Sequence, residues 1–229
     1  LSLLNNLIPF TLLVTGQTVI ASGLASVINA TTPLFGVVIL AATGRETLVL
    51  RKTAGILMGV AGVAILKGGV WPDAGSQTIG ILFCLGAAMS YGLGSLWTKL
   101  TYKGTAPLSM ATGQLLCSSL VMVVLAFGFD DPGQLLRASL ASWLALLGLA
   151  LLATSLAYLI FFRVVARAGP ANVLLVTMMI PVSAIAMGAA VLHEKLEPSE
   201  IVGTFVILLA LLLIDGRVLR LLGPRKDAA

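Results

Sequence analysis

Four polar residues stand inside apolar stretches of the sequence, each four positions before an aromatic residue or a proline. Residues four apart lie on one face of a helix, and a polar side chain in an apolar helix is costly unless it faces a polar interior. We therefore expect these pairs to present hydrogen-bonding groups to a small-molecule ligand. The pairs are Asn6 with Phe10, Asn29 with Pro33, Thr154 with Tyr158, and Thr177 with Pro181.

Tyr91 and Ser95 form a further pair with the same spacing and the same expected role. Two structural alternatives apply to all of these residues. Serine and threonine hydroxyls often bond to the backbone of their own helix, and asparagine side chains can join neighbouring helices.

Ser95 and the single histidine, His193, are the one pair that could act as nucleophile and base in an intramembrane hydrolase. Such a pair must come within hydrogen-bonding distance. His193 lies at the end of an apolar segment, whereas Ser95 lies within one. We expect the protein not to be an enzyme.

The composition requires a solvent other than water around most of the chain. Of its 229 residues, 59% are hydrophobic and 10% are charged, whereas a soluble domain has about 25% charged residues. We therefore expect the lipid bilayer to surround the chain. The basic residues are dispersed in short loops, so the net charge of +5 does not indicate nucleic-acid binding.

Neither cysteine pattern nor motif predicts a cofactor. Cys84 and Cys117 lie in apolar segments without CxxC or Cys/His spacing, so we interpret both as core residues. No nucleotide-binding motif follows a predicted strand. We predict no metal and no cofactor.

Apolar segments long enough to cross a bilayer, about 20 residues each, fill the chain. The expected architecture is an all-α, polytopic transmembrane helix bundle. The eight segments are 1–14, 22–43, 53–70, 78–98, 105–128, 141–162, 171–192 and 201–217.

The positive-inside rule orients these segments. With Leu1 at a cytoplasmic end and strict alternation, eleven of the fourteen Lys and Arg residues fall on the cytoplasmic side. The exceptions are Lys67, Arg137 and Lys195. We expect a multi-pass protein of the bacterial inner membrane with a cytoplasmic C-terminus.

The sequence contains a weak internal repeat with a shift of 148 residues. This shift superposes Pro33 on Pro181 and Glu46 on Glu194, and no gap is needed over about 60 residues. Basic residues that flank one copy are missing from the other, as expected if the copies cross the membrane in opposite senses. We expect the two glutamates to fix helix ends or to pair with basic residues; a role in gating or proton coupling is the alternative.

Opposite senses require an odd number of helices in each copy. The predicted domains are a partial first repeat of three helices (1–70), a second repeat of five (78–217) and a basic cytoplasmic tail (218–229). The intact protein is then expected to have ten helices, of which eight are present.

The segments "GLASVINATTPLFGVVILAATGRETLVLRKTAGILMGVAGVAIL" (23–66) and "GPANVLLVTMMIPVSAIAMGAAVLHEKLEPSEIVGTFVILLALLLI" (169–214) resemble the two EamA-type repeats of the drug/metabolite transporter superfamily. The resemblance implies ten helices in two inverted halves and a central cavity. It also implies secondary-active transport, mostly outward, of small metabolites, amino acids or drug-like compounds by alternating access. A non-transporting membrane scaffold is the alternative. A coupled proton or counter-substrate and a homodimer are left open as further partners.

Overall fold

Every regular element that the computed structural model describes is a helix, as the sequence predicts. The described residues are 1–45, 47–66, 75–102, 104–129, 133, 137–157, 159–160, 170–195 and 197–216, with side chains excepted at 76, 107, 129 and 170–179. The α-helices are α1 (Ile8–Gln17), α2 (Ser22–Asn29), α3 (Thr32–Ala42), α4 (Leu50–Leu66), α5 (Ser76–Thr101), α6 (Pro107–Phe129), α7 (Leu140–Gly148), α8 (Pro170–Val191) and α9 (Pro198–Asp215).

Two π-helical segments adjoin the α-helices. Leu3–Leu7 (π1) leads into α1, and Leu149–Leu156 (π2) follows α7. The two segments overlap when the sequence is shifted by 148 residues. The same shift places the start of α2 on the start of α8, and the start of α4 on the start of α9.

Length and apolar composition qualify four described stretches as membrane spans: Ser22–Ala42, Gln77–Thr101, Leu108–Gly128 and Pro198–Asp215. Leu140–Leu156 and Ile180–Val191 are shorter apolar helices. The protein is therefore a polytopic all-α bundle.

The chain divides into two compact units. The first contains Leu3–Lys103 and Met178–Ala229, and the second contains Gly104–Thr177. Within the first unit α4 packs most extensively on α9, and α5 packs on α1, α2 and α3. These units do not coincide with the predicted repeats, because α4 and α9, one from each repeat, share a unit.

Helices α4 and α9 run antiparallel and approach each other closely at glycine residues. A Cβ atom on Gly55, near the start of α4, would lie 3.1 Å from the carbonyl oxygen of Ala210 in α9. A Cβ on Gly203, near the start of α9, would lie 2.7 Å from the backbone nitrogen of Leu66 at the end of α4. Gly55 and Gly203 correspond in the repeat, so equivalent helices pack in opposite directions. This is the arrangement expected of inverted copies.

Helix α2 lies at the centre of the first unit. Leu24, Ala25, Val27 and Ile28 are all at most 2% exposed, and they pack with residues of α4, α5 and α9. Cys84 belongs to the same core, which confirms its interpretation as a packing residue, whereas Cys117 is exposed.

Candidate functional site

The span that contains Pro33 is interrupted, whereas the corresponding helix that contains Pro181 is continuous. Helix α2 ends at Asn29 and α3 begins at Thr32, one residue before Pro33. In α8 the corresponding proline, Pro181, lies inside an unbroken helix. A proline has no N–H group and cannot continue the helical hydrogen-bond ladder. The corresponding segments therefore differ: α2 and α3 are separate helices, whereas α8 continues through its proline.

Threonine hydroxyls satisfy the carbonyl groups that the interruption frees. The Thr32 hydroxyl donates to the Asn29 carbonyl oxygen at 2.7 Å, and the Thr31 hydroxyl donates to the Ile28 carbonyl oxygen at 2.6 Å. Backbone irregularity at membrane depth is tolerated where such local donors replace the lost bonds. The interruption is therefore a stable feature of this span.

Two side-chain atoms beside the interruption have no such compensation. Ser26 Oγ and Asn29 Oδ1 are buried and have no hydrogen-bond partner among the described residues. Together with Ser22 they occupy positions i, i+4 and i+7 of α2, which form one face of a helix. Buried polar atoms are almost always hydrogen-bonded, so two unsatisfied atoms on one face mark this face as a candidate ligand-binding surface.

At the other end of α2, a carboxylate from the second repeat caps the helix. Glu194 Oε1 accepts hydrogen bonds from the backbone N–H of Ser22 at 2.9 Å and from its hydroxyl at 2.9 Å. Glu194 Oε2 accepts from the Ser22 hydroxyl at 3.0 Å and from the Gly23 N–H at 3.3 Å. The first N–H groups of a helix lack internal acceptors, and the helix dipole is positive there. Above all the Ser22 N–H bond lowers the pKa of the Glu194 carboxyl below its ordinary value, so the group is ionised at neutral pH.

The turn after α8 brings Glu194 to this position. The Glu194 N–H donates to the carbonyl oxygen of Gly188 at 3.1 Å, and His193 adopts a left-handed backbone conformation with φ of 55°. Gly188 leaves the space that the carboxylate occupies, because a Cβ there would collide with Glu194 Oε2. A Cβ on Gly23 would lie 3.1 Å from Ile185 Cγ1. Two glycines thus allow α8 and α2 to approach closely.

The expectation that Glu194 fixes a helix end is therefore confirmed, and the helix is one that begins 172 residues earlier in the chain. Its repeat counterpart, Glu46, lies outside the described residues.

Asn6 and Phe10, the first predicted pair, differ in exposure. Asn6 is 3% exposed within π1, whereas Phe10 in α1 is 47% exposed. The π1 segment lies against α5, where the Ser90 hydroxyl donates to the Leu4 carbonyl oxygen at 2.8 Å. This contact places the segment that carries Asn6 beside the helix that carries Tyr91 and Ser95.

The hydroxyl groups of Ser95 and Thr154 bond to their own helices. Ser95 Oγ donates to the Tyr91 carbonyl oxygen at 3.0 Å, and Thr154 Oγ1 donates to the Leu149 carbonyl oxygen at 3.1 Å. This is the local bonding that competes with a ligand role. Tyr91 and Asn29 are half-buried, and Pro33 is exposed.

Three predicted site residues lie in or next to the parts of residues 158–179 that the structure does not fully describe. Tyr158 lies outside the described residues, and Thr177 lies on α8 with its side chain outside them. Pro181 is almost fully buried in the same helix.

Sequence reasoning did not select Ser26, although a signal was present. Ser26 stands three residues before Asn29 and four after Ser22, and serine in an apolar helix is common enough to be overlooked. The spacing indicates a polar face on α2. Only the packing around this face shows that Ser22 has a partner and that Ser26 Oγ has none among the described residues.

Comparison with known proteins agrees with this architecture. Residues 78–215 match the EamA-like transporter family. The chain is 28% identical over 172 residues to the uncharacterized transporter YvbV of Bacillus subtilis, covering 75% of this chain and 56% of that protein.

Two further relatives extend the match towards the first repeat. The uncharacterized transporter YoaV of Bacillus subtilis is 27% identical over 208 residues, covering 90% of this chain and 71% of that protein. A chloroplastic WAT1-related protein of Arabidopsis thaliana is 26% identical over 203 residues, covering 85% of this chain and 48% of that protein. The chain thus spans between about half and 71% of the length of these relatives.

The family match covers more than half of the chain and runs from the first turn of α5 to the end of α9. Together with the apolar helices, it identifies a multi-pass integral membrane protein. The chain belongs to the EamA-like transporter family, of the drug/metabolite transporter type.

Proposed function

We propose that this protein is a secondary-active exporter of small metabolites, amino acids or drug-like compounds, and that it works by alternating access in the bacterial inner membrane. The observation that carries the proposal is the interrupted span Ser22–Ala42 with the unsatisfied Ser26 Oγ and Asn29 Oδ1 beside the interruption. Substrate sites of inverted-repeat transporters are formed by such discontinuous helices.

The position of the interruption supports this proposal. Asn29 is the eighth residue of a 21-residue span, which places it about 10–12 Å from the start of the span at 1.5 Å per residue. The hydrocarbon core of a bilayer is about 30 Å thick. Asn29 therefore stands about a third of the way along the span and Ser26 about one turn nearer its start, on the way to the midplane, where substrates of such carriers bind.

In the proposed mechanism the two repeats rock around a shared substrate site. Pro33 and Pro181 allow the corresponding helices to bend, and Glu194 joins the start of α2 to the end of α8. The C-terminus faces the cytoplasm, as the distribution of basic residues predicts. A proton gradient or exchange against a second substrate supplies the energy.

A membrane scaffold without transport activity is the second candidate. The intramembrane hydrolase is less well supported, because the Ser95 hydroxyl donates to its own helix and His193 is exposed in the turn after α8.

The test is reconstitution of the full-length protein in liposomes, with a screen of labelled amino acids and metabolites. Efflux under an imposed pH gradient indicates proton coupling, and efflux that requires unlabelled solute on the opposite side indicates exchange. The variant Asn29→Leu should abolish efflux. Ser183→Ala is the matched control, because the Ser183 hydroxyl is exposed and already bonds to the Ile180 carbonyl oxygen. Flux of no solute in the wild-type protein would favour the scaffold.

A further inference from the structure

The Glu194 cap joins one end of two helices that come from different copies of the repeat. Its carboxylate accepts hydrogen bonds from the Ser22 N–H at 2.9 Å, from the Ser22 hydroxyl at 2.9 Å and from the Gly23 N–H at 3.3 Å. Ser22 begins α2, whereas Glu194 follows the end of α8. Three donors on one carboxylate therefore tie the start of α2 to the end of α8.

The repeat counterparts of these residues lack most of the groups that such a cap needs. A shift of 148 residues places Glu46 on Glu194 and Ser22 on Pro170. Proline has neither a backbone N–H nor a hydroxyl, whereas Ser22 supplies one of each to Glu194. Two of the three hydrogen bonds therefore have no donor at the corresponding position.

The space and the turn around Glu194 are not repeated either. Gly188 leaves the room that the carboxylate occupies, because a Cβ there would collide with it, and the corresponding residue is Leu40. The left-handed residue of the turn after α8 is His193, directly before the capping glutamate. The turn after α3 has its left-handed residue at Gly44, two positions before the corresponding glutamate. The cap thus depends on several positions whose residues differ between the copies.

A carrier that works by alternating access opens its two ends in turn, and inverted repeats place equivalent helices at both ends. A contact made in one conformation only shifts the population towards that conformation. We propose that the hydrogen bonds of Glu194 to Ser22 and Gly23 form a latch, which keeps this end of α2 and α8 closed in the resting protein and breaks when this end opens. This inference rests on the proposed function, since opening at both ends in turn is a property of a carrier.

The unequal residues of the two copies give this latch its consequence. Because the corresponding cap lacks two donors, closure at the Glu194 end is the more stable of the two closed arrangements. Lys195, the next residue, is one of the three basic residues that the positive-inside rule leaves away from the cytoplasm. We therefore expect the latch to close the end that faces away from the cytoplasm.

Ser22→Pro tests the latch most sharply, because it copies the residue at the corresponding position. Ala21 has φ of −60° and ψ of 146°, the extended conformation that a residue before proline adopts. Ser22 is the first residue of α2, where proline is favoured. The substitution therefore removes two donors and is compatible with the start of the helix. Glu194→Ala removes the acceptor instead, and Glu194→Gln should have a smaller effect because it keeps one acceptor oxygen.

Double electron–electron resonance on the full-length protein in lipid nanodiscs measures the opening without transport. Spin labels at the exposed positions Thr18 and Lys195 report the separation of the two helix ends, with the exposed Cys117 replaced by serine. We expect one predominant short distance in this background and a second, longer distance in Ser22→Pro and Glu194→Ala. The ratio of the long to the short population should rise roughly two- to thirtyfold, as expected for the loss of a helix cap.

Two control variants accompany this measurement. Ser183→Ala should leave the distance distribution unchanged, because its hydroxyl is exposed and bonds to its own helix. Glu46→Ala should leave it unchanged as well, because Pro170 stands where Ser22 would be needed. A fall in the long-distance population in Glu46→Ala would reveal an equal latch at the other end and would overturn the proposed asymmetry.

An unchanged distance distribution in Ser22→Pro and Glu194→Ala, with thermal midpoints that show folded protein, would overturn the latch. A background distribution dominated by the longer distance would overturn it as well. Failure of the proposed function has a different signature. Opening in these variants without flux of any solute in liposomes contradicts the transporter, whereas flux with a distance distribution that neither variant changes contradicts only the latch.

Discussion

Gly62 of α4 and Gly203 of α9 face each other where these antiparallel helices cross. A Cβ atom on Gly203 would lie 2.8 Å from the carbonyl oxygen of Gly62, and a Cβ on Gly62 would lie 3.2 Å from the carbonyl oxygen of Gly203. Lipid tails are as apolar as leucine, so close packing of small residues has to hold membrane helices together. This backbone contact joins α4 to α9, one helix from each of the predicted repeats.

The first prediction concerns that contact. Gly203→Ala should destabilise the protein by about 1–3 kcal/mol, the usual cost of overpacking, because its methyl group would press on backbone atoms of Leu66 and Gly62. Denaturation by SDS in mixed micelles would measure the change. Gly113→Ala in α6 is the control, since no other described group lies within 4 Å of the added Cβ apart from its chain neighbours and the backbone of its own helix, and it should be neutral or stabilising. Equal effects of both substitutions would contradict close packing at Gly203.

The second prediction concerns the Glu194 cap. Glu194→Ala should lower the stability of the protein by about 0.5–2 kcal/mol, the usual cost of losing a helix cap. Glu194→Gln should cost less, because it keeps one acceptor oxygen. Lys195→Gln changes a neighbouring exposed charge without touching the cap, and its thermal midpoint in detergent should match that of the wild-type protein.

The third prediction concerns the pH dependence of the same cap. The pKa of Glu194 is lowered in the folded protein, so its carboxylate stabilises the fold at pH values above the ordinary carboxyl pKa. This contribution is lost as the pH falls through the lowered value. The difference in thermal midpoint between the wild-type protein and Glu194→Gln should therefore be constant near neutral pH and disappear on acidification. A difference that grows on acidification would contradict the assignment.

The fourth prediction concerns the turn that positions Glu194. His193 has a positive φ, which costs a residue with a side chain roughly 1–2 kcal/mol relative to a right-handed conformation. His193→Gly should therefore leave the thermal midpoint unchanged or raise it, and His193→Asn should be tolerated. His193→Val should lower it, because a β-branched residue is strained in this region. A stabilising valine would show that the turn does not require the left-handed conformation.

The fifth prediction concerns the hydroxyl groups at the interruption. Thr32→Val removes the donor to the Asn29 carbonyl oxygen while preserving the shape of the side chain. It should destabilise the protein by about 1 kcal/mol. Thr43→Val is the matched control: the Thr43 hydroxyl also bonds to its own backbone but is exposed to solvent. Equal thermal midpoints for the two variants would show that the Thr32 bond is not needed at the interruption.

Local sequence predicted the helices well because the responsible signals are local. Runs of apolar residues bounded by Gly, Pro and Asp predicted the segments, and the described helices begin and end within a few residues of them. A proline in each copy removes one helical hydrogen bond, but the prolines by themselves do not distinguish the interrupted α2–α3 span from the continuous α8. That difference depends on which groups donate hydrogen bonds to the carbonyl oxygens near the proline. In the α2–α3 span the donors are the hydroxyls of Thr31 and Thr32.

The candidate site was predictable only in part. Asn29 stood out as a polar residue in an apolar span, and the structure places its Oδ1 without a partner among the described residues. Ser95 and Thr154 stood out for the same reason, yet their hydroxyls bond to their own helices. A sequence shows that a polar group is present, whereas its satisfaction depends on backbone geometry and packing.

The sequence by itself determined that lipid surrounds the chain, where its helices lie, and that prolines and charges recur after 148 residues. Hydrophobicity, proline and charge can be recognised locally because each acts within one helix or at its ends. Only the tertiary structure decided that Glu194 caps α2, that Gly62 meets Gly203, and that Ser26 and Asn29 share an unsatisfied face. These relationships join residues far apart in the chain or depend on what surrounds them. They arise when the helices pack together, which pairs some polar groups and leaves others without a partner among the described residues.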